Sequence, residues 1–268
     1  MTGVDFMISE LARVNGIKTE SSSTNDEKIQ ILKVLMTISK PAILSDQYYM
    51  YEKDYLELTK NKALLIDVGM IQEQLTPSIF LHKGDITHIK ADAIVNAANE
   101  KLLGCFVPGH HCIDNAIHLS AGLGLRNACN RLMTAQGKDE EVGMAKVTNG
   151  FNLPSKYVVH TVGPNLNAMG SRRFDEAKKL LKDAYVSCLE AVKPYEDIKS
   201  IVFCSISTGV YGFPIEEASF IAIETIETYL EKNEHHLEKV VIDVFSKEDF
   251  DAYKKTSIKR RERLRKCF

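Results

Sequence analysis

Long apolar segments are missing from this 268-residue sequence, and so is a strong excess of charge of one sign. No apolar run approaches the roughly 20 residues that a membrane-spanning helix needs, so we expect no membrane contact. The opening stretch, MTGVDFMISELARV, contains acidic residues and lacks the apolar core of a signal peptide. The net charge of −2 gives no general attraction to nucleic acid. These absences indicate a cytoplasmic protein that binds neither membranes nor nucleic acid.

Cysteine is sparse as well. The chain has 6 cysteines, and only Cys105 and Cys112 are close neighbours. Without an export signal, such cysteines are more often thiols or metal ligands than members of a disulfide framework. Cys188 and Cys204 lie in apolar periodic segments, where a small buried side chain is the favoured interpretation. Only the pair at positions 105 and 112 therefore requires a chemical explanation.

Residues 1–75 show helical spacing and gather no catalytic residue types. The segments ISELARV, DEKIQILKVLMTISK and QYYMYEKDYLELTKN each predict an amphipathic helix. Acidic residues at the start of the second segment suit the dipole of a helix. We interpret residues 1–75 as a helical appendage that packs on or near the main domain.

From residue 76 to 268, predicted strands alternate with predicted helices. The strands are SIFLHKGDI, AIVNAA, MAKVTNG, KYVVHTVG, SIVFCSI and KVVIDVF. The helices are a continuous one from about Ile113 to Met133, then RFDEAKKLLKDAYVSCLEAV, IEEASFIAIETIETYLEKN and KEDFDAYKKTSI. This order predicts a three-layer α/β/α sandwich with a mixed central sheet. The basic tail IKRRERLRKCF is typical of a solvated helix end, with a patch for nucleic acid or an acidic partner as the alternative.

The stretch LLGCFVPGHHC places metal-binding side chains in one short loop. Cys105, His110 and Cys112 form the pattern C-x4-H-x-C, and all three residue types are ligands that zinc prefers. Pro108 and Gly109 allow the loop to fold tightly. A loop with incidental thiols is the alternative interpretation.

A fourth protein ligand is hard to find. His111 adjoins His110, so the two side chains should diverge. Cys129 comes 17 positions after Cys112, which is about 25 Å along a continuous helix. His118 faces another side of that helix. Three ligands and a vacancy are typical of a catalytic zinc ion, with water or a substrate oxygen in the fourth position.

Asp114 and His118 are one helical turn apart, so they can share a face of the helix after the loop. Asp114 also lies beside the proposed metal ligands. The alternatives are an N-terminal helix charge for Asp114 and, as the favoured interpretation, a satisfied interior histidine for His118.

The segment SISTGVYGFP follows the predicted buried strand SIVFCSI and precedes a helix. Gly209 and Gly212, with Ser207 and Thr208, allow several backbone amides to converge on an anion. No lysine is placed as in a P-loop, so a diphosphate fits better than a triphosphate. An ordinary tight turn is the alternative.

Taken in order, GDIT, AIVNAANEKLLG, CIDNAIHLSAG, YVVHTVGP and ISTGVYGFP resemble the macrodomain, an ADP-ribose-binding α/β/α module, over about residues 77–250. Macrodomain hydrolases usually have a glycine run where this chain has Cys105–Cys112. The replacement resembles the zinc-dependent subclass of macrodomains, which has a P-x-H-x-C element after an earlier cysteine. The resemblance selects His110 as the ligand, leaves His111 out, and implies one Zn²⁺ per chain.

The resemblance also implies roles for residues that match the family's motifs. Asp85 would bind the adenine amino group with the Ile86 amide nearby, Asn99 would hold the distal ribose, and Asp114 would take the place of the catalytic aspartate. The other implied contacts are a loop that wraps the diphosphate, in which Tyr211 flanks the distal ribose, and an aromatic ring at the adenosine end. These residues are Ser207, Thr208, Gly209, Val210, Tyr211, Gly212, Phe213 and, by the loosest match, Phe245.

The activity that the resemblance implies is zinc-dependent release of mono-ADP-ribose from protein side chains, with a carboxylate ester as the expected linkage. The expected partners are ADP-ribose and a mono-ADP-ribosylated protein. Zinc would bind a distal-ribose hydroxyl or a water, Asp114 would orient or deprotonate the water, and Asn99 would fix the sugar. Asp114 could instead support a zinc ligand indirectly. Alternatives are an ADP-ribose reader without turnover, a deacetylase of O-acetyl-ADP-ribose, and a structural zinc module, which would need a fourth ligand.

Overall fold

The structure is a computed structural model that describes residues 2–18, 24–62 and 64–266. Its α-helices are α1 Gly3–Asn15, α2 Asn25–Ile38, α3 Asp46–Lys62, α4 Ile113–Ala121, α5 Leu123–Gln136, α6 Leu166–Met169, α7 Phe174–Val192, α8 Ile215–Lys232 and α9 Lys247–Lys266. Its strands are β1 Ile66–Asp67, β2 Ile79–Lys83, β3 Ile89–Lys90, β4 Ala93–Ala98, β5 Ala145–Asn149, β6 Tyr157–Val162, β7 Ser200–Cys204 and β8 Lys239–Val244.

A 6-stranded sheet of order β2-β8-β7-β4-β6-β5 forms the centre of the molecule. All neighbours pair in parallel except β5, which runs antiparallel to β6 at one edge. Every residue of β7 is buried, as expected for a continuous apolar strand with neighbours on both sides. Helices cover both faces, so the predicted α/β/α sandwich with a mixed sheet is confirmed.

The predicted continuous helix from Ile113 to Met133 is wrong, because Gly122 divides it into α4 and α5. Gly122 has φ 85° and ψ 176°, a conformation that only glycine adopts readily. A Cβ at this position would also collide with the carboxylate of Glu52. The break removes the basis for placing Cys129 about 25 Å from the cysteine loop along a straight helix. Cys129 is buried instead, with its Sγ 3.6 Å from His160 Nε2.

The predicted N-terminal helices are present as α1, α2 and α3, and they have an apolar core of their own. Its largest buried side chains are Met7, Leu11, Leu32, Met36 and Tyr48, and Leu123 of α5 joins the same cluster. Shared burial of this kind is the main source of stability for helices of this length. The appendage is therefore packed on the sandwich.

Two buried charged side chains fasten the appendage to the sandwich. Arg126, which is 1% exposed, donates from Nη1 to the carbonyls of Met36 and Thr37 at 2.9 and 3.0 Å, near the C-terminal end of α2. Glu52 of α3 accepts a hydrogen bond from the Leu123 amide at 2.9 Å, at the start of α5. Each charge thus faces the helix end whose dipole suits it.

Burial of Glu52 gives a pH dependence that can be tested, because it raises the pKa of this carboxyl to about 7. The folded state then binds the proton more tightly than the unfolded state, so stability falls as pH rises through this pKa. Glu52→Gln removes this titration. We expect its free energy of unfolding, relative to wild type, to rise by about 1–3 kcal/mol between pH 5 and pH 8. Urea titrations across that range measure the difference, and parallel curves for the two proteins would contradict the assignment.

The basic tail forms the end of α9. Arg260 pairs with the largely buried Glu227 of α8, and the Arg263 guanidinium lies 5.9 Å from the centre of the Phe220 ring. Apart from half-buried Arg260, every residue from 258 to 263 is exposed, so the predicted solvated helix end is confirmed for most of the described tail. None of the helices described for this chain is long and apolar enough to cross a membrane.

Candidate functional site

A cavity of about 1150 Å³ lies over the carboxyl ends of β2, β4, β7 and β8, as ligand sites in such sheets do. The cavity brings together most of the side chains that the sequence predicted. These are Asp85, Ile86, Asn99, Cys105, His110, Cys112, Asp114, Ser207, Thr208, Gly209, Val210, Tyr211 and Phe245.

The appendage forms part of the cavity wall, which the sequence did not predict. Lys33 and Thr37 of α2 and Tyr55 and Thr59 of α3 are among the residues that line it. These helices contain no recognisable binding motif, so their place at the cavity follows only from how they pack on α4 and α5.

Cys105, His110 and Cys112 converge at one end of the cavity. The Cys105 Sγ is 3.4 Å from His110 Nδ1, and the ligand atoms of all three residues lie within 4.8 Å of one another. Ligands of one tetrahedral zinc ion are separated by about 3.5–3.8 Å, given bonds of 2.0–2.3 Å. Burial, with the neighbouring Cys105 thiol, raises the pKa of Cys112 to about 11. The three ligand atoms are close enough that they could hold a metal ion, and His111 is outside the group.

The loop and the start of α4 fix these ligands locally. Gly109 has φ 72°, so the chain can turn sharply before His110. Cys112 is the N-cap of α4, and its Sγ accepts a hydrogen bond from the Asn115 amide at 3.4 Å. The Asn115 side chain in turn donates to the His110 carbonyl at 3.0 Å. Helix formation thereby places two of the three candidate ligands.

Asp114 follows two residues later and points into the protein, where it is 5% exposed. Its Oδ1 accepts a hydrogen bond from Asn96 Nδ2 at 2.8 Å, and its Oδ2 accepts one from Asn99 Nδ2 at 3.2 Å. Burial raises the pKa of this carboxyl to about 6. The carboxylate is thus held by two amide groups beside the candidate metal ligands, an arrangement suited to a general base.

Asn99 connects the two parts of this centre. Its Nδ2 also donates to the Gly104 carbonyl at 3.1 Å, next to Cys105, and its Oδ1 accepts from the Lys101 amide at 3.0 Å. Asn99 therefore ties the end of β4 to both the cysteine loop and Asp114.

Three further side chains with ligand atoms, His118, Cys129 and His160, are buried below Asp114. His118 lies in the interior, as expected, but the expectation that its ring nitrogens are hydrogen-bonded is wrong. Neither ring nitrogen forms a hydrogen bond among the described residues, and Nε2 is 3.5 Å from Asp114 Oδ1. Burial lowers the pKa of His160 to about 3 and holds that of His118 well below its usual range. Both imidazoles are therefore neutral at physiological pH.

The loop after β7 contains a strained residue, Ser207, with φ 67°. Such backbone conformations are concentrated at functional sites. Its buried hydroxyl has no hydrogen-bond partner among the described residues and lies so close to Gly163 that a Cβ there would collide with it. The backbone amides from Ser207 to Tyr211 donate no hydrogen bond within residues 2–18, 24–62 and 64–266. They are available to bind an anion.

Gly212 and Phe213 were predicted in the loop that wraps the diphosphate, but their contacts are made within the protein. Their amides donate within the loop, to the carbonyls of Gly209 and Ser207, each at 3.0 Å. The Phe213 ring is 2% exposed and packs in the core, 5.5 Å from the ring of Phe174. The sequence did not reveal this difference because an apolar residue after a glycine loop can face either the ligand or the core.

The opposite end of the cavity is formed by the residues predicted to bind adenosine. Asp85 Oδ1 accepts hydrogen bonds from the amide and hydroxyl of Thr87 at 2.9 and 2.7 Å. Its Oδ2 is 3.9 Å from His88 Nδ1, and the side chain is 41% exposed. Phe245 is 83% exposed, so its ring is free to pack on a ligand.

A hydrogen-bonded pair of half-buried His82 and buried Asp243, which the sequence did not predict, lies under this end. His82 of β2 and Asp243 of β8 are partners in the sheet register, and His82 Nδ1 is 2.6 Å from Asp243 Oδ1. Burial raises the pKa of Asp243 to about 6. The pair is separated by 161 positions in sequence, so no local pattern could have indicated it.

Comparison with known proteins relates this cavity to one family. The Macro domain family model matches residues 95–222. A protein-ADP-ribose hydrolase of Staphylococcus aureus (strain MRSA252) is 40% identical over 215 residues, which are 80% of this chain and 79% of that protein. The chain belongs to the macrodomain family. A protein-ADP-ribose hydrolase of Treponema medium is 38% identical over 255 residues, covering 94% of this macrodomain chain and 95% of the relative.

Solved macrodomain structures agree with this assignment. A mutant of the Oceanobacillus iheyensis macrodomain with ADPR has a TM-score of 0.62 and 37% identity, covering 71% of this chain and 97% of that one. The relatives that span most of this macrodomain chain are hydrolases, and the chain is a hydrolase as well. The matched residues 95–222 contain Asn99, the cysteine loop and Asp114, but neither Asp85 nor Phe245.

Proposed function

We propose that this macrodomain releases mono-ADP-ribose from protein side chains, with a carboxylate ester as the preferred linkage and one zinc ion as cofactor. The observation that carries the proposal is the position of Asp114. Its buried carboxylate, held by two asparagines, lies next to three side chains that can ligate a metal, in the cavity that also contains the free amides after β7.

The cavity offers complementary groups for each part of ADP-ribose. The amides from Ser207 to Tyr211 would bind the diphosphate, and Tyr211 would flank the distal ribose. At the other end, Asp85 Oδ2 would accept a hydrogen bond from the adenine amino group, because Oδ1 already caps Thr87. The exposed ring of Phe245 would pack against the adenosine. The distal ribose then falls near Asn99 and Asp114.

Zinc fits Cys105, His110 and Cys112 in ligand type, number and spacing, and these residues would hold it. When bound, it would supply a Lewis acid for a ribose hydroxyl or a water molecule near the anomeric carbon. The neighbouring carboxylate favours a cation at this position, and the two thiols would lose their protons when they bind it.

Asp114 would accept a proton from the attacking water. Its two oxygens are fixed by Asn96 and Asn99, so the lone pairs that remain free have a defined direction. Asn99, which also anchors the cysteine loop through Gly104, would set the angle of the ribose to this carboxylate. Such preorganisation shortens the path to a near-attack geometry.

The experiment that tests the function uses a protein mono-ADP-ribosylated on glutamate. Incubation with the full chain should release free ADP-ribose and restore the unmodified side chain, as measured by mass spectrometry of both products. A chain that binds ADP-ribose but releases none is a reader, and this outcome would overturn the proposal. Release from O-acetyl-ADP-ribose but not from the modified protein would point to the deacetylase.

The adenine contact predicts a change of base preference. Asp85→Asn can keep the cap of Thr87 through Oδ1 but places an amide N–H where Oδ2 would face the adenine amino group. We expect ADP-ribose to bind about 10- to 100-fold more weakly, since a hydrogen bond to a charged group is replaced by two opposed donors. Inosine diphosphate ribose has an acceptor at that position, so its affinity for the variant should rise relative to that of ADP-ribose. Calorimetric titration with both ligands measures this, and an unchanged ratio of affinities would contradict the contact.

A further inference from the structure

A row of buried polar side chains lies behind Asp114, outside the cavity. Asn96 of β4 and His160 of β6 are 0% exposed, and Thr148 of β5 is 7% exposed. Asn96 Nδ2 is 2.8 Å from Asp114 Oδ1 and 3.2 Å from His160 Nδ1, and His160 Nε2 is 2.9 Å from Thr148 Oγ1. Buried polar groups are costly unless satisfied, so this row requires an explanation.

The contacts define the protons along the row. The Asn96 amide nitrogen has two hydrogens, and one of them is donated to the Asp114 carboxylate. The other is directed at His160 Nδ1, which must then be an acceptor. A neutral imidazole that accepts at Nδ1 carries its proton on Nε2, and that proton is donated to Thr148 Oγ1.

The orientation of the Asn96 amide depends on these contacts. Its Oδ1 is buried without a hydrogen-bond partner in the part of the chain that the structure describes. A rotation of the amide by 180° would therefore lose no bond at Oδ1 and would turn an oxygen toward the Asp114 carboxylate. The His160 acceptor opposes this rotation, because the same oxygen would also face the lone pair of Nδ1.

We infer that Asn96, His160 and Thr148 are positioning residues, which act together to hold the Asp114 carboxylate in its working orientation. The inference rests on the proposed function, in which Asp114 orients or deprotonates the attacking water. None of the three touches the cavity, so their effect on the reaction is exerted through Asp114.

The same geometry argues against a second metal site at His118, Cys129 and His160. Their ligand atoms are within 4.8 Å of one another, but His160 Nε2 carries a proton in this arrangement and cannot ligate. The buried guanidinium of Arg126 further disfavours a cation there, since its charge acts on both His118 and Cys129.

Two substitutions of His160 separate positioning from packing. In His160→Asn, the side-chain oxygen can take the place of Nδ1 and still accept from Asn96. In His160→Gln, the terminal amide takes the place of Nε2 and no acceptor remains near Asn96. We expect kcat on the modified protein to fall less than about fivefold in His160→Asn and about 30- to 100-fold in His160→Gln. KM and the affinity for ADP-ribose should change less than about threefold in both, because Asp85 and the loop after β7 are untouched.

Nitrogen-15 NMR of the wild-type histidines supplies a measurement that does not depend on turnover. The inference predicts that His160 has its proton on Nε2, and a proton on Nδ1 would overturn it. Equal losses of kcat in the two variants, or none in either, would also overturn it. The inference would also be overturned if the wild type bound a second equivalent of zinc that Cys129→Ala did not bind. His160 would then be a metal ligand together with Cys129.

Measurements of stability and of wild-type activity distinguish a folding defect, a failure of the proposed function and a failure of the positioning role. If the His160 variants fail to fold, Thr148→Val provides the test, since it removes the Oγ1 acceptor of the Nε2 proton and leaves only Cys129 Sγ, at 3.6 Å. We expect it to lower kcat about three- to tenfold with KM unchanged, and an unchanged kcat would overturn the inference. A wild-type protein that releases no ADP-ribose overturns the proposed function, whereas an active wild type with equivalent His160 variants overturns only the positioning role.

Discussion

Asp114→Asn is expected to reduce the release of ADP-ribose about 10²- to 10⁴-fold, the range lost with a general base. Asparagine matches the shape of Asp114 but cannot accept a proton from water at neutral pH. It also offers one oxygen where the carboxylate offers two, so it can accept from Asn96 or Asn99 but not from both. The affinity for ADP-ribose should stay within about tenfold, because the diphosphate and adenine contacts are unchanged.

The matched control is Asp175→Asn, the same change at a side chain that is 94% exposed on α7. It should leave kcat and ADP-ribose affinity unaltered. Initial rates of release from the modified protein and calorimetric titration with ADP-ribose give the two quantities. An Asp114→Asn protein that retains more than a tenth of the wild-type rate would show that Asp114 is not the base.

His110→Ala is expected to abolish stoichiometric zinc binding and to lower release about 10²-fold or more, since the metal stabilises developing charge. The neighbouring His111→Ala should keep one zinc per chain and the wild-type rate. The physical reason is the placement of the two rings, because only His110 Nδ1 lies with the sulfurs of Cys105 and Cys112.

Elemental analysis of the purified variants and their rates of release test this pair. The two variants differ by one position in the same loop, so a general disturbance of the loop would affect both alike. Loss of zinc in His111→Ala, or equal zinc content in both variants, would contradict the ligand assignment.

Much of the fold could be predicted because its elements are encoded locally. The apolar run IVFC forms most of β7, and the capping residue Thr24 with Glu27 starts the predicted helix α2. The break at Gly122 could not be predicted in this way. A glycine inside a helical pattern is often tolerated, and the group that requires it, the Glu52 carboxylate, comes from the appendage.

The functional site likewise has a part that is encoded locally and a part that depends on contacts between distant residues. Cys105, His110 and Cys112 were predicted as a group because eight successive residues contain all three, and a short loop keeps them together. Asn96 and His160 were not predicted to act together, since 64 positions separate them and only the pairing of β4 with β6 brings them into contact. Contacts between paired strands of a sheet produce no pattern in the spacing of residues that are close in sequence.

Hydrolysis in oxygen-18 water tests the central claim most directly. The protein should be incubated with a glutamate-linked mono-ADP-ribosylated protein, and both products analysed by mass spectrometry at short times. Free ADP-ribose in parallel labelled water corrects for spontaneous exchange at the anomeric hydroxyl. If Asp114 directs water at the anomeric carbon, the label appears in ADP-ribose and the released glutamate stays unlabelled. Label in the glutamate carboxylate would show attack on the ester carbonyl and would contradict the account.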